Sequence, residues 1–146
     1  MPNKYLKRPK DFITTPKTPP HSDLSKKQEG AFGEATAATY LKSKHFTIIE
    51  RNARERFGEI DIVAIDGDTL VIVEVKTRVS HEFGEAVEAI TAHKLKALKK
   101  SALYYHMTHP GLPERIRMDL VAVTLSNPTT VSSIEHIQNM YIEGLA

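Results

Sequence analysis

The chain has no cysteine and no tryptophan. Without cysteine there are no disulfide staples, thiolate metal sites or cysteine nucleophiles, and the composition fits a reducing, cytoplasmic setting. No apolar run approaches the roughly 20 residues of a membrane span. The N-terminus has no apolar stretch of the secretory kind, so neither a membrane partner nor export is expected. An excess of one charge is also lacking: 20 basic and 18 acidic residues leave a net +2. The 7 glycines are dispersed and form no phosphate-cradling loop, and no serine sits in a nucleophile elbow. The seven histidines include no pair at zinc-binding spacing on one helix. Together these absences exclude a disulfide scaffold, a thiol or zinc enzyme, a P-loop enzyme and a uniformly basic polyanion binder.

The 146 residues, 40% of them apolar, suit one compact domain with a real core. Charge and proline are unevenly placed. Residues 1–23 hold five of the eight prolines and carry a net +3, which leaves −1 for residues 24–146. That first segment shows no apolar periodicity and reads as a disordered, basic, proline-rich arm ahead of the folded domain 24–146. It is either a solvated tail or an arm that brushes a polyanion.

Within the domain, Leu24, Ala31, Ala35 and Ala38 recur at helical spacing, and the helix is expected to end near Lys42–Lys44. Strands are expected at 46–50, 60–65 and 70–77, with a charged loop over Arg51–Phe57. Asp66-Gly67-Asp68 is a hairpin signal joining the second and third strands. The third, dense in valine and isoleucine, reads as a strand covered on both faces. A long helix is expected over 85–107, with Val87, Thr91, Leu95, Leu98, Ala102 and Tyr105 inward. Pro110-Gly111-Leu112-Pro113 breaks the chain. A fourth strand covers 117–125, a turn follows at Asn127-Pro128, and a fifth strand is expected at 134–137. The first three strands form a meander. The fourth, arriving after a crossover helix, joins parallel. The fold class is α/β, a mixed central sheet flanked by helices.

Two of these strands carry acids inside apolar runs: Asp61 in Gly58-Glu59-Ile60-Asp61-Ile62-Val63, and Glu74 in Val71-Ile72-Val73-Glu74-Val75-Lys76-Thr77. Alternation puts Glu74 and Lys76 on one face, and the hairpin makes Asp61 their antiparallel neighbour. Two carboxylates side by side repel, and burying them unpaired is costly. A divalent cation resolves the conflict, and oxygen-only ligands favour Mg²⁺ or Mn²⁺. Glu34, on the first helix beside its buried face, can complete the metal shell. Lys76 supplies a point charge that steadies a phosphorane or orients an attacking water. A plain Glu-X-Lys ion pair is the competing reading of that triplet alone.

The Asp61…Glu74-Val75-Lys76 pattern is similar to the PD-(D/E)XK pattern of restriction-endonuclease-like nucleases. The upstream Gly33-Glu34 helix resembles the arrangement in archaeal Holliday-junction resolvases. More closely, Gly33-Glu34-Ala35, Asn52-Ala53-Arg54, Phe57-Gly58-Glu59-Ile60-Asp61-Ile62-Val63 and Val73-Glu74-Val75-Lys76-Thr77-Arg78 resemble the YraN family of small bacterial proteins, described as endonucleases. The resemblance covers residues 28–141. It implies a three-layer restriction-endonuclease-like core, a metal at Asp61 and Glu74, and Lys76 as catalytic lysine. Ile60 stands where the superfamily pattern has proline. A homodimer is expected by analogy with resolvases.

Around this centre, Glu59 is either a second acidic ligand or a solvated residue at the start of its strand. Arg51, Arg54, Arg56 and Arg78 either clamp phosphates or line a solvated loop. Lys94, Lys96, Lys99 and Lys100 give the long helix a basic rim facing DNA or water. Asp119 is expected to support Arg117 or a nearby backbone group. The expected function is metal-dependent hydrolysis of DNA phosphodiesters at branched or damaged structures. The alternative is a non-catalytic nucleic-acid- or protein-binding module.

Overall fold

The computed structural model describes residues 23–79 and 90–140, the side chains of 23–25 excepted. The basic arm up to residue 22, Val87 and the expected helix start at residue 85 lie outside the described residues. The order is α1 (Asp23–Ser43), β1 (Thr47–Glu55), β2 (Gly58–Asp66), β3 (Thr69–Val79), α2 (Ala92–Thr108), β4 (Arg115–Asn127) and β5 (Thr130–Ile137). The five strands form one mixed sheet in the order β1-β2-β3-β4-β5. All neighbours are antiparallel except β3 and β4, which run parallel as the crossover requires.

Each helix covers one face of the sheet. Leu95, Leu98, Ala102 and Tyr105 of α2 pack on Ile60, Leu70, Ile72 and Leu120. Ala37, Ala38 and Leu41 of α1 pack on Ile62, Val71, Val73, Val121 and Val123. The alternation of β3 between these two cores explains its continuous apolar run: Leu70 to Val73 are fully buried. No described helix is long and apolar enough to cross a membrane.

Three local expectations need correction. The segment after residue 50 is not a loop: β1 runs on to Glu55. It is an edge strand, and a charged, mostly exposed sequence is what such an edge tolerates. The buried side of α1 is carried by Ala37, Ala38 and Leu41, whereas Ala31 and Ala35 are exposed. Thr91 does not face inward, and the expected helix does not run through 90–91: Thr91 is extended (ψ 157°) and caps α2, which begins at Ala92, accepting the Lys94 N–H at 3.0 Å. At the other end of α1, His45 adopts a left-handed conformation (φ 69°) and the Phe46 N–H donates to the Leu41 carbonyl, closing the helix as a Schellman turn.

Candidate active site

The β2–β3 ladder stops at Ile62 and Val73, although both strands continue. The reason lies at Asp61. Residues 60 and 62 of a regular strand share a face, yet Ile60 enters the α2-side core and Ile62 the α1-side core. The alternation is broken between them, which turns Asp61 sideways into the gap between the strands. There its Oδ2 accepts the Val75 N–H at 2.8 Å, a side chain standing in for a missing ladder bond. Across β1 the register passes from Arg51↔Ile62 to Ala53↔Ile60. Between them lies Asn52, with φ 53°, a conformation asparagine tolerates better than most residues.

The gap opens toward α1 as a cleft of 420 Å³ whose lining includes Lys26, Glu29, Glu34, Asp61, Lys76 and Thr77. Gly33 sets the distance of α1 from the sheet: a Cβ there would lie 1.8 Å from Thr77 Oγ1 and 2.8 Å from Thr77 Cβ. Only glycine permits this approach, and it brings the next residue, Glu34, to the cleft wall. Glu34 Oε1 is buried and accepts no hydrogen bond. Arg51 Nε lies at an ion-pair distance of 3.6 Å from it.

Glu74 leaves β3 toward α2. It is buried, and Lys94 Nζ lies 2.5 Å from its Oε1. Phe57, Glu59, Glu74 and Lys94 line a smaller cavity of 180 Å³ on that side. Asp61 therefore sits between two carboxylates approaching from opposite faces. Burial, then the Glu74 charge and more weakly the Glu34 charge, push Asp61 from its ordinary 3.8 up to about 7; the Val75 N–H and the Lys94 ammonium oppose this. Among the described residues no three acidic or imidazole side chains are gathered closely enough to hold one ion. Glu34, Asp61 and Lys76 line the cleft, and Glu74 lines the cavity on the α2 side. Val73, Val75 and Thr77 all face α1, so the alternation of β3 is unbroken and Lys76 leaves the strand on the same face as Glu74.

Residues 33–123 match the family model described as "Uncharacterised protein family UPF0102". The chain belongs to this family. It is 45% identical over 108 residues to a UPF0102 protein of Kineococcus radiotolerans, covering 72% of this chain and 88% of the relative. A UPF0102 protein of Geobacter metallireducens is 42% identical over 118 residues, 81% of this chain and 95% of the relative. One from Dictyoglomus turgidum is 36% identical over 118 residues, 81% of this chain and the whole of the relative. The family description names no reaction, so the chemistry has to be read from the site. The matched span contains Gly33, Glu34, Asp61, Glu74, Lys76 and Lys94.

Of the expected phosphate contacts, Arg54 and Arg56 are exposed. Arg56 lies over the Phe57 ring, 5.7 Å from its centroid. Arg78 is partly buried and engaged in an interaction. Lys94, expected to face DNA or water, pairs with Glu74. Glu59 is exposed. Sequence reasoning missed Lys26 and Glu29, although Lys26, Gly30 and Glu34 at steps of four already mark one face of a helix. Asn52 entered the sequence reading only within the Asn52-Ala53-Arg54 block, and its left-handed φ of 53° is a feature of the folded backbone.

Proposed function

We propose that this protein is a metal-dependent endonuclease of the restriction-endonuclease-like kind, hydrolysing DNA phosphodiester bonds at the Asp61 cleft. The environment of Asp61 carries the reading. A part-buried carboxylate with one backbone donor and two like charges beside it is a poor structural device and a good cation site. The strand order, with a parallel crossover and a helix on each face, supports the fold assignment.

The residues fit a divalent cation on two counts. Glu34 Oε1 is buried without a hydrogen bond, and the Asp61 carboxyl is held well above its ordinary range. Both are marks of anionic oxygen short of positive charge. Asp61, Glu34 and Glu74 offer oxygen only, the donor set of Mg²⁺ or Mn²⁺. Asp61 and Glu34 would hold such an ion, with Glu74 as the third acid, and it would supply Lewis acidity toward the phosphodiester and make an attacking water more acidic. Lys76, at the cleft, offsets phosphate charge and orients that water. Arg54, Arg56 and Arg78 position the DNA backbone. Branched or damaged DNA as substrate, and a homodimer by analogy with resolvases, belong to the same reading.

A non-catalytic binding module is the second reading, favoured by the Glu74–Lys94 ion pair, which leaves Glu74 already neutralised. Cleavage assays on duplex, single-stranded and branched DNA with Mg²⁺ or Mn²⁺ separate the two. The nuclease reading expects cleavage that falls at least ~100-fold in Asp61→Asn and Lys76→Ala. No cleavage of any substrate, with wild type and variants alike, would favour the module.

A further inference from the structure

The two acids that flank Asp61 each meet one long basic side chain from a neighbouring element. Glu34 has Arg51, 43% exposed, and Glu74 has Lys94, 49% exposed, while the acids themselves are 13% and 7% exposed. The asymmetry matters. A buried carboxylate cannot turn to water, but a half-exposed ammonium on a flexible stem can leave at small cost. Apart from the Glu74 pair, Lys94 is fixed at its backbone, in the first turn of α2, where Thr91 takes its N–H. By contrast Arg117, paired with Asp119, is 19% exposed and is held through both Nε and a terminal nitrogen.

We propose that Lys94 is the exchangeable counter-ion of Glu74, which a divalent cation displaces on binding. The inference rests on the nuclease reading of the site. The inference fits the placement of Glu74, which faces α2 by the alternation of β3 and is neutralised there by Lys94. It also assigns Lys94 a role distinct from a DNA contact. Lys94 is a positioning residue that sets how tightly the site takes its cation, and removing its charge makes Glu74 more available.

The test is calorimetric titration of Mn²⁺ into the full-length protein and its Lys94→Gln, Lys94→Met, Lys94→Arg and Glu74→Gln variants. Thermal melts with and without Mn²⁺ accompany it. A half-exposed ion pair contributes up to about a five-fold change in affinity. Lys94→Gln and Lys94→Met should therefore bind Mn²⁺ about five-fold tighter than wild type. They should melt lower without the ion and gain more from it. Lys94→Arg should resemble wild type, and Glu74→Gln should lose binding. Unchanged or weaker binding in both neutral variants, with binding still lost in Glu74→Gln, would overturn the role of Lys94 and leave Glu74 as a ligand. No Mn²⁺ binding by wild type or the neutral variants would overturn both the inference and the metal-site reading beneath it.

Discussion

Asp61 and Asp119 are both carboxylates set in the sheet, and they are satisfied to opposite degrees. Asp119 is fully buried. It accepts Arg117 Nε at 2.9 Å, an Arg117 terminal nitrogen at 3.1 Å, His136 Nε2 at 2.8 Å and the Asn139 N–H at 2.9 Å. Arg117 also reaches Asp66 at 3.0 Å. Burial opposes the charge on Arg117, but Asp119 and Asp66 outweigh it and raise its pKa. The rings of Tyr40 and Phe46 stand edge-on to His136 and close the network. Asp61 has one backbone donor and two carboxylate neighbours. A complete network fixes β4 against β5 and the segment beyond it; an incomplete one leaves oxygens available to a ligand. The same residue type is structural at one place and a candidate functional group at the other, and its partners decide which.

The largest expected effect tests the satisfied side. Asp119→Ala leaves Arg117 and His136 without their acceptor, and urea unfolding should show a loss of about 3–5 kcal/mol. A loss under about 1 kcal/mol would mean that the network adds little and that the contrast with Asp61 is overstated.

Asp61→Asn should act in the opposite direction. The folded-state pKa of Asp61 is raised from 3.8 to about 7, so between these values the native state holds a proton that the unfolded chain has released. Its stability contribution is present below about pH 4 and is lost as pH rises toward 7. Asparagine removes that loss. Relative to wild type, the variant should gain on the order of 2 kcal/mol across this window, while cleavage falls. A stability difference that stays flat with pH would place Asp61 among the satisfied acids.

A smaller effect comes from the cleft wall. Gly33→Ala gains about 1 kcal/mol of helix propensity but forces a methyl onto Thr77, so a net loss of about 1–2 kcal/mol is expected. Thr77→Ala should recover part of it. If Gly33→Ala is stabilising instead, α1 is not seated on β3 as described. Last, Tyr105 donates to Glu50 Oε2 at 2.6 Å, a carboxylate with a partner at the rim of the other face. Tyr105→Phe should lose about 1 kcal/mol, with no change in Mn²⁺ binding.

Much of this architecture was readable from the chain. The valine-rich third strand, the Asp66-Gly67 turn and the crossover helix together imply a meander followed by a parallel strand. Leu95, Leu98, Ala102 and Tyr105 mark the inner side of α2 by spacing alone. Asp119 as a support for Arg117 could also be anticipated, since the two are next neighbours on one strand face. The extension of β1 through Arg51 to Glu55 was hidden, because an edge strand has little apolar content to show. The rotation of α1 was hidden because Gly33, seated against Thr77, has no apolar side chain to mark the buried side. In the site, the residue types and the hairpin that join Asp61 to Glu74 were legible. The break at Asp61 was not: strict alternation puts Ile60 and Ile62 on one face, and only the packed cores reveal that they part. The Glu74–Lys94 pair, 20 residues apart, has no local signature.

The most direct measurement of the central claim is a pair of thermal melts, wild type and Asp61→Asn, at about pH 8 with and without Mn²⁺. Without the ion, the asparagine variant should melt higher, because a repelled carboxylate is gone. With Mn²⁺ the order should reverse, because only wild type keeps the oxygen that holds the cation. An Mn²⁺ shift of the same size in both proteins, or in neither, would contradict the assignment of Asp61 to a cation site.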